Sequence, residues 1–410
     1  MPVAERVTSA LTGGRASRLG ERTVVLVAMA STLPIFWLGY GTDLDVAAVL
    51  RAGERIREGG YEPSRTPGVP VFEAVVAILD PVGGHLAVNL ATVAAFLAAV
   101  VGSARLVRAL GRPNGDLVAL AFLACPTALI AGTSTADFMY ALAFFVWGAL
   151  AHLRSRHVTA GVLLGLSVGA RSSTALVVAA FLLADAWPRE RRQLGIKTAL
   201  IAVPLGVLLY VPAWLAYDRT LGFLDQTNGW HGLANNLGRF AYKNYAVAGI
   251  IAVIVLLTAV PVLVRSLARW GTDPLVRFGA LGFASTQALF LVVPWKLAHL
   301  LPSLLLLLFW LSATEWNRRP RLWLLVGALA VNGVVALRPL VPNDPDASRS
   351  ASFQPAITVG YLVNDIRCRA RFMDEPPRLE SEAWPCTLEP LRGPSDPPPP
   401  AEGPDGPDPG

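Results

Sequence analysis

Long apolar runs alternate along this chain with short polar stretches in which arginine recurs, and the alternation continues from residue 23 to residue 337. A helix rises 1.5 Å per residue, so about 20 apolar residues cross the ~30 Å hydrocarbon layer. The pattern predicts spans over residues 23–40, 85–106, 117–131, 136–153, 195–217, 245–264, 278–293, 297–314 and 322–337. The run 158–187 is too long for one span and is interrupted by Gly169-Ala170-Arg171-Ser172-Ser173, which predicts two short helices meeting at Arg171. The expected fold class is an all-α polytopic membrane protein with about eleven transmembrane helices, since only internally hydrogen-bonded elements are tolerated in lipid.

The polar stretches set the orientation. Arg105, Arg108 and Arg112, then Arg154 and Arg156, then Arg189, Arg191, Arg192 and Lys197, then Arg265, Arg269 and Arg277, then Arg318, Arg319 and Arg321 all fall on the same side of the alternation. Positive loops stay in the cytosol, which predicts a cytosolic N-terminus and an extracytoplasmic C-terminus. Residues 1–22, with Arg6, Arg15, Arg18 and Arg22, read as a cytosolic leader without an evident cleavable signal peptide. Residues 23–338 form the membrane domain, 339–389 a small extracytoplasmic segment with one helix expected over 356–371, and 390–410, mostly Pro, Gly, Asp and Ser, a disordered tail.

Two outer loops carry most of the remaining polarity. The first, residues 41–84, places Val46, Val49, Leu50 and Ile56 at helical spacing among charges, which predicts an amphipathic helix over 46–58 lying in the interface. Pro63, Pro67 and Pro70 cannot extend a helix, and 71–79 is too short to span, so it reads as a second interfacial or re-entrant helix. The second, residues 218–244, holds Trp230, His231, Asn235, Asn236 and Lys243.

Composition agrees with the pattern. Hydrophobic residues make up 53% of the 410 residues and charged residues 16%, against the ~25% charged of soluble domains, and the mean hydropathy is +0.49. The net charge of +6 with pI near 9.5 would suit nucleic acid, but the arginines sit in the topological clusters, so nucleic acid is excluded as a partner. Of three cysteines, Cys125 falls mid-membrane as packing, while Cys368 and Cys386 lie in the outer tail. There they either pair, closing a loop of about 17 residues worth up to ~3 kcal/mol, or remain free thiols.

Candidate chemistry concentrates in the first outer loop. Asp43 and Asp45 stand at the mouth of the first span, where partial desolvation raises a carboxylate toward the range of a general base. Two acids at this spacing could instead share a divalent cation such as Mg or Mn, or simply cap the following helix. Arg65, in stiff proline-rich backbone, and Lys296, beside His299 at the outer end of a span, are candidate phosphate contacts; snorkelling anchors would look the same. Arg171 is costly between apolar helices unless it meets an anion, and Asp137 is its expected structural partner. Tyr61, Glu73, Trp230 and His231 are candidates for contacting a sugar or an acceptor, with Glu73 equally readable as a paired loop acid.

The arrangement resembles the GT-C class of integral-membrane glycosyltransferases, which includes the protein O-mannosyltransferases and the lipid A aminoarabinose transferase. The resemblance is carried by Asp43-Leu44-Asp45, by Gly60-Tyr61-Glu62-Pro63-Ser64-Arg65-Thr66-Pro67-Gly68-Val69-Pro70, by Pro126 followed by Ser134-Thr135-Ala136-Asp137-Phe138, by GVLLGLSVGAR at 161–171 and by KLAHLLP at 296–302, within about residues 20–315. It implies inverting transfer of a sugar, a hexose such as mannose, from a polyprenyl-phosphate donor to a hydroxyl of a glycan, lipid or protein at the extracytoplasmic face. Asp43 would be the base, Asp45 a helper or metal ligand, and Arg65, Lys296, Arg171 and His299 the contacts to the donor phosphate. The acid pair is Asp-x-Asp rather than adjacent Asp-Glu, which leaves the roles of the two acids and any metal requirement open. Competing classes are a transporter or flippase for a lipid-linked or anionic substrate, and a membrane acyltransferase or polysaccharide polymerase.

Overall fold

The computed structural model describes residues 15–43, 45–217, 233–294, 296–340 and 354–373. In chain order the helices are α1 (Arg15–Thr32), α2 (Asp45–Arg57), α3 (Pro70–Ala109), α4 (Gly115–Ala124), α5 (Pro126–Thr133), α6 (Phe138–Leu153), α7 (His157–Ala170), α8 (Thr174–Ala186) and α9 (Arg189–Leu209). There follow α10 (Val211–Ala216), α11 (Leu233–Ala248), α12 (Ile250–Leu257), α13 (Val260–Ser266), α14 (Pro274–Val292), a 3₁₀ turn over Leu297–Leu300, α15 (Leu301–Ser312) and α16 (Arg319–Val334). Strands β1 (Val335–Leu340) and β2 (Gln354–Val359) and helix α17 (Tyr361–Arg371) complete the described chain.

Each expected apolar segment contains helix, but residues 33–40 of the first are irregular and residues 335–337 of the last belong to a strand, and the breaks between segments differ in instructive ways. Among the described residues three helices are long and apolar enough to cross a membrane, five if each sharply bent pair counts as one span, beside four shorter apolar helices. The run 117–131 is one bent pair, α4 and α5, turned by 77° where Pro126, lacking an N–H, cannot continue α4. The other joins α11 to α12 at 94°, at Gly249 with φ +82. A Cβ there would meet the Asn332 side chain at 2.7 Å, so both the backbone and the close approach call for glycine. This corrects the second outer loop: residues 233–244 are helical, while 218–232, including Trp230 and His231, lie outside the described residues.

The first span also shifts. Helix α1 starts at Arg15 and ends at Thr32, because Pro34 and the positive-φ Gly39 and Gly41 turn 33–43 into an irregular connector. Helix α3 runs for 40 residues but breaks at Gly83 and Gly84, which separates the expected short interfacial piece from the expected span. Residues 354–359, placed largely in a helix by the sequence reading, form β2, which pairs antiparallel with β1 in the register Val335↔Val359 to Leu340↔Gln354. Pro355 and the alternating pattern before Gly360 favour strand there, and the helix begins only at Tyr361. The tail beyond 373, with its expected disorder and Cys386, lies outside the described residues.

Two packing features fix the ends of the bundle. Gly161, Gly165 and Gly169 on α7 form a seam in which added Cβ atoms would lie 2.6, 2.9 and 2.3 Å from Ile201, Leu205 and Leu209 of α9, so these helices meet through small residues. The seam delivers Arg171 to one end of the bundle. At the other end, Glu21 pairs with Arg105 and, at 3.1 Å, with Arg108, while Asp273 pairs with Arg112. Buried His152 bridges Thr198 at 2.9 Å and Asp185 at 2.8 Å, and Asp185 also holds Arg191 at 2.7 Å. Between the ends a large apolar core includes Phe96, Phe122, Phe145, Phe181, Phe278 and Phe309. Leu200, Val203, Val207, Ile254 and Leu324 are exposed along the bundle's sides, as expected of a lipid-facing surface.

Candidate active site

The site is built from irregular backbone that side chains must hold. Residues 33–43 belong to no regular helix or sheet, and the Phe36, Leu38 and Gly39 carbonyls accept from side chains of other elements. Asn89 on α3 donates to the Phe36 and Gly39 carbonyls, both at 2.7 Å, and accepts from the Thr135 hydroxyl at 3.0 Å. The Thr135 N–H donates to the Tyr40 carbonyl at 2.8 Å. Asp43 therefore emerges from a fixed turn, and its Oδ1 accepts the Asp45 N–H at 2.9 Å as α2 begins. Val46, Val49, Ala52 and Gly53 bury the inner face of α2 against the start of α3.

The proline-rich loop that follows is organised by Glu73. This carboxylate is fully buried in the first turn of α3 rather than sitting in a solvated loop. It accepts from the Tyr61 hydroxyl at 2.6 Å, the Ser64 N–H at 2.8 Å, the Ser64 hydroxyl at 2.6 Å and the Val69 N–H at 3.3 Å. Burial first, and the Glu73 charge second, push the Tyr61 phenol well above its ordinary pKa. With its oxygens engaged by the loop, Glu73 acts as the staple that shapes residues 61–69 and aims Arg65; Tyr61 serves the same staple.

Six charges then converge from five parts of the sequence. Lys296 Nζ lies 2.5 Å from Asp43 Oδ1 and 2.8 Å from Asp45 Oδ1. Arg65 pairs with Asp45 and, at 2.9 Å, with Asp137 Oδ2, and the same oxygen takes Arg171 at 2.7 Å. Asp137 is thus the partner of Arg171, as the sequence suggested, but it also ties Arg171 to Arg65. The Arg171 guanidinium lies 3.8 Å from the centroid of the Phe138 ring, whose other neighbour is the His299 ring at 5.9 Å. Burial works against the Arg65 charge, and Asp137 and Asp43 more than offset it, so its pKa stands above the ordinary value. For Lys296 burial dominates over the help from Asp43, and its pKa falls.

The three acids differ in access. The Asp43 side chain retains 26% of its exposure, Asp45 17% and Asp137 4%, so Asp43 is the most accessible of the three and Asp137 is enclosed by its arginines. A divalent cation does not fit this arrangement. Lys296 already bridges the two carboxylates that would hold it, and no group of three or more His, Cys, Asp or Glu among the described residues is placed to bind a metal. Of the remaining sequence candidates, Cys368 is disulfide-bonded and Cys125 is buried and free.

Beside the cluster lies an apolar groove of about 640 Å³ lined by Val168, Val178, Leu182, Val203, Val207 and Trp214, with Pro67, Ser172 and Tyr210 at its charged end. Pro67 is two residues from Arg65, and Ser172 follows Arg171. Nothing in the sequence pattern marks this groove or Tyr210 beside it. Its walls come from α7 to α10, whose apolar residues look from sequence like any lipid-facing helix.

Among solved structures, the crystal structure of ArnT from Cupriavidus metallidurans bound to undecaprenyl phosphate is similar to this chain, with a TM-score of 0.55 and 16% sequence identity. The match covers 78% of this chain and 64% of that one, so this chain spans less than two thirds of that protein's length. The likeness is one of fold. No family model and no curated protein sequence matches the chain.

Proposed function

We propose that this protein is a multi-pass membrane glycosyltransferase that moves a sugar from a polyprenyl-phosphate donor to an acceptor hydroxyl at the extracytoplasmic face, with inversion. The observation that carries this reading is the closeness of two features: a cluster of three acids and three cations, and an apolar groove whose lining includes Pro67, two residues from Arg65, and Ser172, next to Arg171. A prenyl chain fits the groove, and its phosphate then meets the cations. The fold shared with ArnT, whose structure contains undecaprenyl phosphate, supports the same ligand class.

In the reaction, the acceptor oxygen attacks the anomeric carbon as the bond from that carbon to the phosphate oxygen breaks. The phosphate leaves with the bonding electrons, and Asp43 takes the acceptor proton. Arg65, Lys296 and Arg171 stabilise the charge that grows on the phosphate, the step where fixed cations help most. The donor phosphate competes with Asp43 for Lys296, so donor binding releases the base from its ion pair. Asp45 and Asp137 keep the arginines aimed. His299 supports Arg171 through Phe138. The sugar is a hexose, and the acceptor a glycan, lipid or protein hydroxyl.

The direct test is incubation of the purified protein with a panel of polyprenyl-phosphate sugars. Release of polyprenyl phosphate together with glycosylated acceptor is expected. Binding or translocation of the donor across vesicles, with no release, would replace the transferase with a lipid-linked-sugar transporter.

A further inference from the structure

We propose that helix α17 is a positioning element of this site: Asp365 holds the Thr42 hydroxyl and thereby sets the place of Asp43, while Arg369 fixes the turn that leads to it. The proposal rests on the reading of Asp43 as the base. Thr42 Oγ1 donates to Asp365 Oδ1 at 2.7 Å across a separation of 323 residues, and Thr42 is covalently next to Asp43. Arg369 Nε donates to the Leu38 carbonyl at 2.9 Å and Nη2 to the Thr133 carbonyl at 2.8 Å. One guanidinium therefore joins the segment that bears Asp43 to the turn that bears Asp137.

The burial of these two residues is hard to explain otherwise. Asp365 is 5% and Arg369 3% exposed, and an ion pair taken out of water costs more than it returns unless it is well satisfied. Their mutual contact is 3.5 Å, longer than the bonds each makes to the active-site connector. The charges are thus directed at residues 38–42 rather than at each other. The segment they hold has positive φ at Gly39 and Gly41 and one long-range backbone bond, from the Thr135 N–H to the Tyr40 carbonyl, so side-chain bonds decide where Asp43 points. Helix α17 is itself fixed: Cys368 is fully buried and disulfide-bonded, and the Gly360 N–H donates to the Val334 carbonyl at 2.7 Å. A Cβ on Gly360 would fall 2.3 Å from the Gly333 carbonyl carbon.

The test uses the full chain and three variants, Thr42→Val, Thr42→Ser and Asp365→Ala, with steady-state transfer from a polyprenyl-phosphate sugar and amide hydrogen exchange over residues 36–43. Misplacing a catalytic group by about 1 Å costs about 10²-fold. Thr42→Val and Asp365→Ala should therefore lower kcat about 10²-fold with the donor KM changed by less than about threefold, and Thr42→Ser should recover most of the loss. Exchange over 39–43 should quicken in the two damaging variants while α14 and α15 stay protected. Thr42→Val with wild-type kcat, Thr42→Ser as impaired as Thr42→Val, a loss expressed in KM alone, or unchanged exchange would each overturn the proposal. Should Asp365→Ala not fold, Thr42→Val carries the test, since it removes a single hydroxyl. A wild-type protein that transfers no sugar refutes the transferase reading instead, and the exchange experiment then still decides whether α17 holds the connector.

Discussion

Both ends of this bundle are built from arginines paired with acids, yet they are wired differently. At the end that gathers Glu21, Arg105, Arg108, Arg112, Asp185, Arg191 and Asp273, each acid serves a helix terminus or clasps neighbouring helices. Asp273 shows the pattern: it pairs with Arg112 and caps α14 by accepting the Leu275 N–H at 3.1 Å. At the other end the acids cap little. Asp43, Asp45 and Asp137 share Lys296, Arg65 and Arg171 in one chain of contacts, carried by loops and by the first residue of α2, with a groove beside them. Pairs that close a helix end stabilise; charges pooled beside a cavity are, on the function proposed above, arranged for a ligand. The number of ion pairs alone does not separate the two.

The sharpest way to break this contrast is Asp43→Asn. A positioned base contributes about 10²–10⁴-fold, so transfer should fall by that factor while the melting temperature of the purified protein stays close to wild type. Turnover equal to wild type would remove Asp43 from the chemistry and leave the site end as another structural clasp. Next in size is Arg65→Met, which keeps the aliphatic stem and removes the charge. Loss of one electrostatic contact to a developing anion costs about 10²–10³-fold, here in kcat, and unaltered kinetics would mean that Arg65 serves only to neutralise Asp45 and Asp137. At the opposite end, Asp273→Ala should do the reverse. It removes a helix cap worth about 1–2 kcal/mol, visible as a lower melting temperature with kcat per folded molecule unchanged. A kinetic defect at constant stability would show that the two ends are coupled.

The helical bundle is legible in the sequence because long apolar runs must satisfy their own backbone hydrogen bonds, so the helical segments are visible from pattern alone. The sequence also exposed the carriers of charge at the site, Asp43, Asp45, Arg65, Arg171 and Lys296, because charge is scarce in such a chain. What it hid was contact between distant segments. The bends at Pro126 and Gly249 were readable as residues but not as angles, since a proline or glycine permits a turn without stating its size. Glu73 read as a loop acid because nothing local reveals that Tyr61, Ser64 and Val69 all point at it. Asp137 read as the partner of one arginine, when its oxygen serves two. Asp365 and Arg369 lay in an amphipathic stretch of polar tail, and no spacing rule connects them to Leu38 and Thr42. The GVLLGLSVG stretch supplied a resemblance whose physical content, a glycine seam against α9, appears only when the second helix is in place.

The smallest expected effect distinguishes the ends by the sign of a pH response. Burial lowers the Lys296 pKa, Arg65 and Arg171 lower it further, and Asp43 only partly compensates. Its proton is therefore lost at a lower pH than that of a free lysine, and with it the charge that faces the donor phosphate, so transfer should decline on the alkaline side before an ordinary lysine would titrate. Stability moves the other way. A lysine whose pKa is lower in the folded chain than in the unfolded one opposes folding while it is protonated, and that opposition is relieved as pH rises through the folded-state value toward the unfolded one. Over this window activity should fall while the melting temperature, so far as Lys296 contributes, rises. Lys296→Arg keeps a charge that does not titrate there. It should push the alkaline limb of kcat/KM, which reports the free enzyme, to higher pH and remove the Lys296 contribution to the stability trend, whereas Asp273→Ala should alter neither slope. An alkaline limb unchanged in Lys296→Arg would mean that another group sets it and that Lys296 is a counter-ion to Asp43 and Asp45 and nothing more.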